Sequence, residues 1–589
     1  MKASIRGSEA AANAFHERGC RAARKGKWAA ALPLFREAVG RGPDVASYSN
    51  SLGLALWFLG SPAEAASAFA RAAEIDPDDP DYPRHWGDAL AECGRHAEAA
   101  AAYRLAVAHS RKESRAPLLA RLAAALANDG RVRESSRYWT KALALDGNNL
   151  LYANNLAGSW FLEGQVSRSL RAYRELVERA ECPPSVHSNF VFTSLFHPAL
   201  SPETVFLRHK GWAERHELSR KPFGIVRRPA RERIRIGYCS PDLRNHSVSF
   251  FLRPILAAHD RQRFEIYCYS NAIHRDATTD DLGRMADHWR DIGLMDDRAV
   301  AKAVREDRVD MLVDLAGHTS GNRLPVFAYK PAPVEATYLG YPATTGLSRI
   351  DFRITDGVAD PPGTTEELHS EKLWRLAPCF LCYEPPAEAP PVRLERHTGI
   401  RFGCFAARAK INQKVVRLWA EVLRQVTGSE LLLKGKGYDE VCQPQIRQMF
   451  AERDVDAERI VFRGFQASRQ EHLAAYGGVD ITLDTFPYNG TTTTCEALWM
   501  GSPVLTLTGN SHVSRVSASI LTQAGLSDWA ASDEEDFVRR AVEAAGDRAG
   551  LVRLRRSLRQ RLKASALLDG AGFTRRLEDA YRAMLGSHR

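Results

Sequence analysis

The feature that most constrains this chain is a period of 34. Gly19, Gly53 and Gly87 are 34 residues apart, and so are Gly26, Gly60 and Gly94. Phe35, Phe69 and Tyr103 keep the same step, as do Ala38, Ala72 and Ala106. After a two-residue slip the frame resumes at Gly130, Trp139 and Ala142, then steps by 34 to Gly164, Tyr173 and Leu176. Self-similarity at this length is the mark of stacked antiparallel helix pairs, the tetratricopeptide pattern. Small residues belong where paired helices approach closely, and a glycine before each second helix suits a turn because it tolerates positive φ. The aromatic is expected to fill the space between neighbouring units, and Pro77 to end a second helix. One pair cannot bury its apolar face alone, so residues 8–180 are expected to form one α-helical solenoid of five repeats. Its concave surface suits a protein or peptide and carries no chemistry.

A helical or linker segment is expected over 181–230, and beyond it strands alternate with helices. IRIGYCS near 234–240, RFEIYCYS at 263–270, MLVDLAG within 299–318 and VEATYLGYPATTG at 334–346 read as strands with helices between them. The stretch YEPPAEAPPVRLE is too rich in proline to hold regular structure and marks a linker over 383–397. The alternation restarts with IRFGCF at 400–405 and continues through SPVLTLT at 502–508. Alternation of this kind predicts parallel sheets covered on both faces. The reading is therefore two α/β domains, 231–382 and 398–589, the second with a terminal helix, and ligands at the carboxyl ends of strands or between domains.

Composition narrows the function. With 44% hydrophobic and 26% charged residues in 589, the chain is not mostly disordered. No stretch approaches the ~18 apolar residues of a membrane span, and the first residues lack the apolar core of a secretory signal. Ten cysteines are too sparse for a disulfide scaffold, so a reducing cytoplasm is expected. The net charge of +10 admits nucleic acid, a membrane surface or a small anion. The basic run Arg227–Arg235 has no aromatic platform or zinc spacing and reads as a solvated linker face.

The segment richest in chemistry is DTFPYNGTTTTCE, Asp484–Glu496. A strand ends, a Pro/Asn/Gly loop turns, and four threonines open a helix. The free N–H groups and positive dipole end of a helix start, with added hydroxyls, form an anion cradle. No Walker P-loop or GxGxxG follows the candidate strands, and GHTSG is not a nucleophile elbow. Cys379 and Cys382 form a lone CxxC, expected to pack rather than to bind zinc. His246 and His318 lie in strand-end loops, where a neutral imidazole can orient or deprotonate a hydroxyl. Lys410 follows a strand and can neutralise a departing phosphate.

With these residues in view, SPDLRNHSVSFF, DLAGHTSGNRL, PAPVEATYLGYPATTG, FAARAKI and DTFPYNGTTTTCEALWMGSPVLTL resemble the protein O-linked N-acetylglucosamine transferase family, which includes bacterial members and the related SPINDLY-type O-fucosyltransferases. The resemblance covers nearly the whole chain. It implies a GT-B fold, two Rossmann-like domains with the nucleotide-sugar in the cleft between them. It also implies inverting transfer to Ser/Thr hydroxyls without a cofactor or required metal. By the same resemblance His246 is the active-site histidine and Lys410 contacts the donor diphosphate. Thr491, Thr492 and Thr493 bind that diphosphate at the helix start. His472 packs on the base, Arg469 with the backbone around Ala467 lies in the base-recognition loop, and Glu496 meets the ribose. Gly340, Tyr341 and Pro342 lie in the loop near sugar and acceptor, and His318, from its strand-end position, is expected on the same side. The expected donor is UDP-GlcNAc, and the expected partners are acceptor proteins held by the repeats.

Three departures stand out. FAARAK places Ala406 and Ala407 where the family carries an amide loop. Only a short Pro-rich linker joins the catalytic halves. At the groove positions Glu17, Ser51, His85, Arg121 and Asn155, only the last is asparagine. The competing readings are a GDP-fucose-dependent transferase, a catalytically weak repeat-based adaptor favoured by the two alanines, and a nucleic-acid binder resting on charge alone.

Overall fold

A computed structural model describes residues 2–224, 232–395, 398–435, 437–464, 466 and 468–587. The chain divides into two compact units with the boundary between Glu163 and Gly164. The first is all helical: four pairs, from Lys2–Arg24 with Trp28–Arg41 to Lys112–Asn128 with Val132–Leu145, then Leu150–Leu162. The helix Pro62–Ile75 ends just ahead of Pro77, as a proline requires.

The two glycine series do different work. A Cβ on Gly19, Gly53 or Gly87 would lie 2.6 Å from the ring of Phe35, Phe69 or Tyr103. Each aromatic therefore seats on the glycine of its own repeat and also shares a core with the next one, Phe35 with Ala55, Phe69 with Leu90 and Tyr103 with Leu122. Phe69 also reaches the next repeat, with its ring 5.2 Å from that of His85. Gly26, Gly60, Gly94 and Gly130 have φ of +69°, +81°, +73° and +87° with open space around a Cβ, so backbone conformation alone demands glycine there. Groove positions tie neighbouring repeats together. Ser51 bonds His16 at 2.9 Å, His85 bonds Asn50 at 2.8 Å, and Arg121 donates to Asp88 at 2.7 Å.

The second unit opens with the helices Val166–Val177, Pro184–Ser194 and Pro202–His216. Two parallel sheets follow. The first contains β1 (Ile234–Ser240), β2 (Phe264–Ser270), β3 (His288–Asp291), β4 (Met311–Asp314), β5 (Val334–Thr337), β6 (Phe352–Thr355) and β7 (Lys372–Arg375). The second contains β8 (Arg401–Cys404), β9 (Glu430–Lys434), β10 (Ile460–Arg463), β11 (Ile481–Leu483), β12 (Val504–Leu507) and β13 (Ala530–Ala531). Their orders are β3-β2-β1-β4-β5-β6-β7 and β10-β9-β8-β11-β12-β13. Both are the doubly wound order, so each has one topological switch point, between β1 and β4 and between β8 and β11. Central strands such as β4 and β12 are buried along their whole length, as two-sided coverage requires.

The terminal helix Gly570–Gly586 crosses back from the second sheet to the first. Its Phe573, Leu577 and Met584 join the core that holds Ile236 and Phe251. Tyr581 Oη lies 3.2 Å from that of Tyr238 on β1, and His259 Nδ1 lies 2.9 Å from Glu578 Oε1. Of the basic run, residues 227–231 lie outside the described residues. Arg233 and Arg235 are not a free solvated face, since they pair with Asp287 at 3.0 Å and Glu265 at 2.9 Å. Burial pushes the Cys379 and Cys382 thiols up to about 12. No helix of the described residues is long and apolar enough to cross a membrane.

Candidate active site

The candidate residues sit beyond the carboxyl ends of strands in both sheets, with His246, Lys410 and the threonines following strands that flank a switch point. In the second sheet the loop after β11 is pinned by Asp484, whose carboxylate is buried at its base. Asp484 Oδ1 accepts the N–H groups of Thr485 and Gly490 at 2.9 Å, and Oδ2 accepts the Thr506 hydroxyl of β12 at 2.8 Å. The pinned loop delivers the chain into the helix Thr492–Trp499, with Thr491 at its N-cap. Thr494 turns inward and bonds Ser517 at 2.9 Å. Thr491, Thr492 and Thr493 are left facing a cleft of about 310 Å³.

The same cleft is lined by Lys410, His246, Gly340 and Pro342. Lys410 Nζ donates to Asn489 O at 2.8 Å and lies 4.2 Å from the centre of the Tyr488 ring. Burial lowers its pKa to about 8, against the pull of Asp484. A half-buried ammonium beside a helix start is an electropositive pocket suited to a diphosphate. His246 follows β1. Its Nδ1 accepts the Val248 N–H at 3.3 Å and lies 3.6 Å from Asp242 Oδ1. Burial lowers the His246 pKa despite that carboxylate. Gly340 is obligatory: a Cβ there would lie 1.7 Å from Leu315 O.

The expected base and ribose residues form a separate polar group. Lys434, the last residue of β9, lies 2.6 Å from His472 Nδ1. His472 Nε2 lies 3.1 Å from Glu496 Oε2, and Arg469 donates to Glu496 Oε1 at 3.3 Å. An ammonium on one ring nitrogen and a carboxylate on the other fix the proton on Nε2. Burial lowers the Lys434 pKa to about 8, with Glu496 opposing. Arg469 also lies over the Phe250 ring at 3.5 Å, so its charge is neutralised by Glu496 rather than offered to the threonine helix. Ala467 lies outside the described residues.

Two expected residues do not reach the cleft. His318 is fully buried, with Nδ1 3.0 Å from Ser188 Oγ and Nε2 2.8 Å from Thr345 O. Burial holds its pKa well below the ordinary value, so it is a neutral brace for the loop after β4. Tyr341 is buried too, its hydroxyl 2.8 Å from His209 Nε2. A strand-end position does not tell which way a side chain turns, and here both turn into the helical layer. Sequence reasoning missed Tyr488, Lys434 and His512. Tyr488 lay within the quoted PYNG loop, whereas Lys434 carried only the signal of closing a strand.

A model of glycosyl transferase family 41 matches residues 210–384 and 396–577. The chain belongs to glycosyl transferase family 41. A tetratricopeptide repeat model matches residues 16–80. A rice protein (Oryza sativa subsp. japonica) named "Probable UDP-N-acetylglucosamine--peptide N-acetylglucosaminyltransferase SPINDLY" is 44% identical over 360 residues, 59% of this chain and 38% of that protein. The Arabidopsis thaliana protein of the same name ending in SEC is 30% identical over 373 residues, 61% of this chain and 38% of that one. The solved structure of a Thermobaculum terrenum O-GlcNAc transferase mutant is 32% identical, with a TM-score of 0.76 over 92% of this chain and 98% of that one. The chain spans 38% of the length of the curated relatives named here. Within family 41, the fold is a tetratricopeptide array followed by a GT-B pair of parallel-sheet domains.

Proposed function

We propose that this chain is an inverting transferase that moves N-acetylglucosamine from UDP-GlcNAc to Ser/Thr hydroxyls of proteins. The observation that carries this reading is the convergence of Lys410, the helix start at Thr491–Thr493 and His246 on one cleft. In this reading the diphosphate lies on the helix start, and the Lys434–His472–Glu496 group receives the nucleoside. Glu496 keeps lone pairs for the ribose beyond those its two partners occupy. The acceptor oxygen attacks the anomeric carbon from the face opposite the diphosphate. As that C–O bond breaks, Lys410 and the helix dipole neutralise the charge gathering on the leaving oxygen. No metal ion has a part in this, so transfer is expected to survive EDTA unchanged. The repeats hold the acceptor protein, and binding energy from that chain orients its hydroxyl. The names of the rice and Arabidopsis relatives support the donor and acceptor classes.

The test is a thermal-shift comparison of UDP with GDP, followed by intact-mass analysis of candidate acceptors incubated with each nucleotide sugar. Stabilisation by UDP and addition of N-acetylhexosamine are expected. A GDP-fucose donor is the second reading. It follows from the resemblance to SPINDLY-type O-fucosyltransferases, and stabilisation by GDP alone would favour it over UDP-GlcNAc.

A further inference from the structure

Resting on the transferase reading, we infer that His512, held by Asp360, accepts the proton of the acceptor hydroxyl. His512 lines the cleft that holds Lys410 and Thr491–Thr493. It also lines an adjoining cavity of about 510 Å³, and Pro342 borders both. The ring thus stands where an acceptor chain occupying the second cavity meets a donor in the first.

The polarity of the ring is fixed from behind. Its Nδ1 lies 2.6 Å from Oδ2 of Asp360, which is fully buried and also accepts the Thr355 hydroxyl. Burial opposes ionisation of Asp360, but His512, His369 and Arg353 together hold its carboxyl well below the usual range. An ionised carboxylate only accepts, so the ring proton sits on Nδ1 and Nε2 carries the lone pair. Nε2 has no hydrogen-bond partner among the described residues. His246 has the opposite polarity. The Val248 N–H occupies its Nδ1, so the neutral ring carries its proton on Nε2 and can donate it to a ligand. The two histidines of the cleft therefore divide the work: His246 donates to the substrate and His512 receives.

The step balances. The acceptor oxygen forms the bond to the anomeric carbon and its proton passes to His512 Nε2. The bond from that carbon to the diphosphate oxygen breaks, and its electron pair leaves with the diphosphate beside Lys410. The resulting imidazolium is held by the Asp360 carboxylate, the arrangement that orients a general base in hydrolytic triads.

The charged groups around this pair are His369, whose Nε2 lies 4.0 Å from Asp360 Oδ1, and Arg353 and Arg515. Lys410 and His246 face the ring's cleft. None of these supplies a second lone pair beside His512 Nε2.

The experiment uses the full chain, UDP-GlcNAc and a Ser/Thr peptide library on which the wild type transfers. His512→Gln and His512→Ala are expected to lower kcat by about 10²- to 10⁴-fold, to leave the Kd for UDP unchanged, and to alter the dependence of kcat on pH. Asp360→Asn is expected to lower kcat with the same binding, because the amide cannot hold the imidazolium. A His512→Gln variant with wild-type kcat and pH profile would overturn the inference. So would loss of UDP binding in step with loss of transfer, which makes the residue structural. Failure of the wild type to transfer from either UDP-GlcNAc or GDP-fucose defeats the transferase reading itself, and that result is obtained before any variant is made.

Discussion

The two sheets of the second unit repeat one device and furnish it differently. Each ends the strand beside its switch point in a buried aspartate that pins the following loop. Asp314 accepts the N–H groups of Ala316 and Gly317 and the Thr337 hydroxyl of β5. Asp484 accepts those of Thr485 and Gly490 and the Thr506 hydroxyl of β12. Around Asp314 lie neutral, buried His318 and a glycine loop pressed against Leu315 O, and the charged groups that reach it, Glu371 and Arg353, oppose one another. Around Asp484 stand a half-buried ammonium and a helix start. The fold supplies two equivalent rigid loops, and side chains make one electropositive and the other neutral. In the proposed reading, that asymmetry puts the diphosphate on the second sheet and the acceptor side on the first.

The asymmetry can be broken from the charged side most severely. Lys410→Ala removes the ammonium and is expected to lower kcat by about 10³-fold, in the range lost with a transition-state charge partner, while thermal stability is kept. Next comes the neutral loop. Gly340→Ala drives a methyl into Leu315 O, and a loss of about 3 kcal/mol in denaturant unfolding is expected. Gly490→Ala meets the Thr493 and Thr494 hydroxyls at 2.6 Å and Asp484 Oδ1 at 3.3 Å, side-chain atoms that can shift, and should cost less stability but disturb nucleotide binding. Lys434→Met leaves His472 free to turn. It should raise the donor KM by about tenfold, or about 1.4 kcal/mol, with kcat little changed.

The smallest effect is read at Asp314 by pH. Burial pushes the Asp314 carboxyl up to about 6, above the ~3.9 of an unfolded chain. The folded state therefore binds the proton more tightly. The stability this contributes is full below the unfolded value and is lost as pH rises through about 6. Unfolding free energy measured across that window should fall with pH, and Asp314→Asn should flatten the slope.

Much of this was legible in the sequence because it is written in periods and punctuation. The step of 34 announced both glycine series, since one is required by an aromatic seat and the other by positive φ. Strand-end loops located Lys410, His246 and the threonines because a doubly wound sheet leaves few other places for a ligand. What stayed hidden depends on partners distant in the chain. His512 gains its polarity from Asp360, 152 residues earlier. Lys434 gains its role only once β9 lies beside the helix carrying His472. His318 looked equal to His246 as a loop residue, yet it turns into the helical layer. The terminal helix follows its apolar face back to the first sheet, which linear order could not foretell.

The central claim is that the electropositive loop of the second sheet carries the leaving group. The direct measurement is the intact mass of an acceptor protein after incubation with UDP-GlcNAc and either the wild-type chain or Lys410→Ala, with equal UDP binding by neither assumed but measured in parallel. The account predicts N-acetylhexosamine on Ser/Thr with the wild type and almost none with the variant. Transfer by Lys410→Ala at the wild-type rate would contradict it.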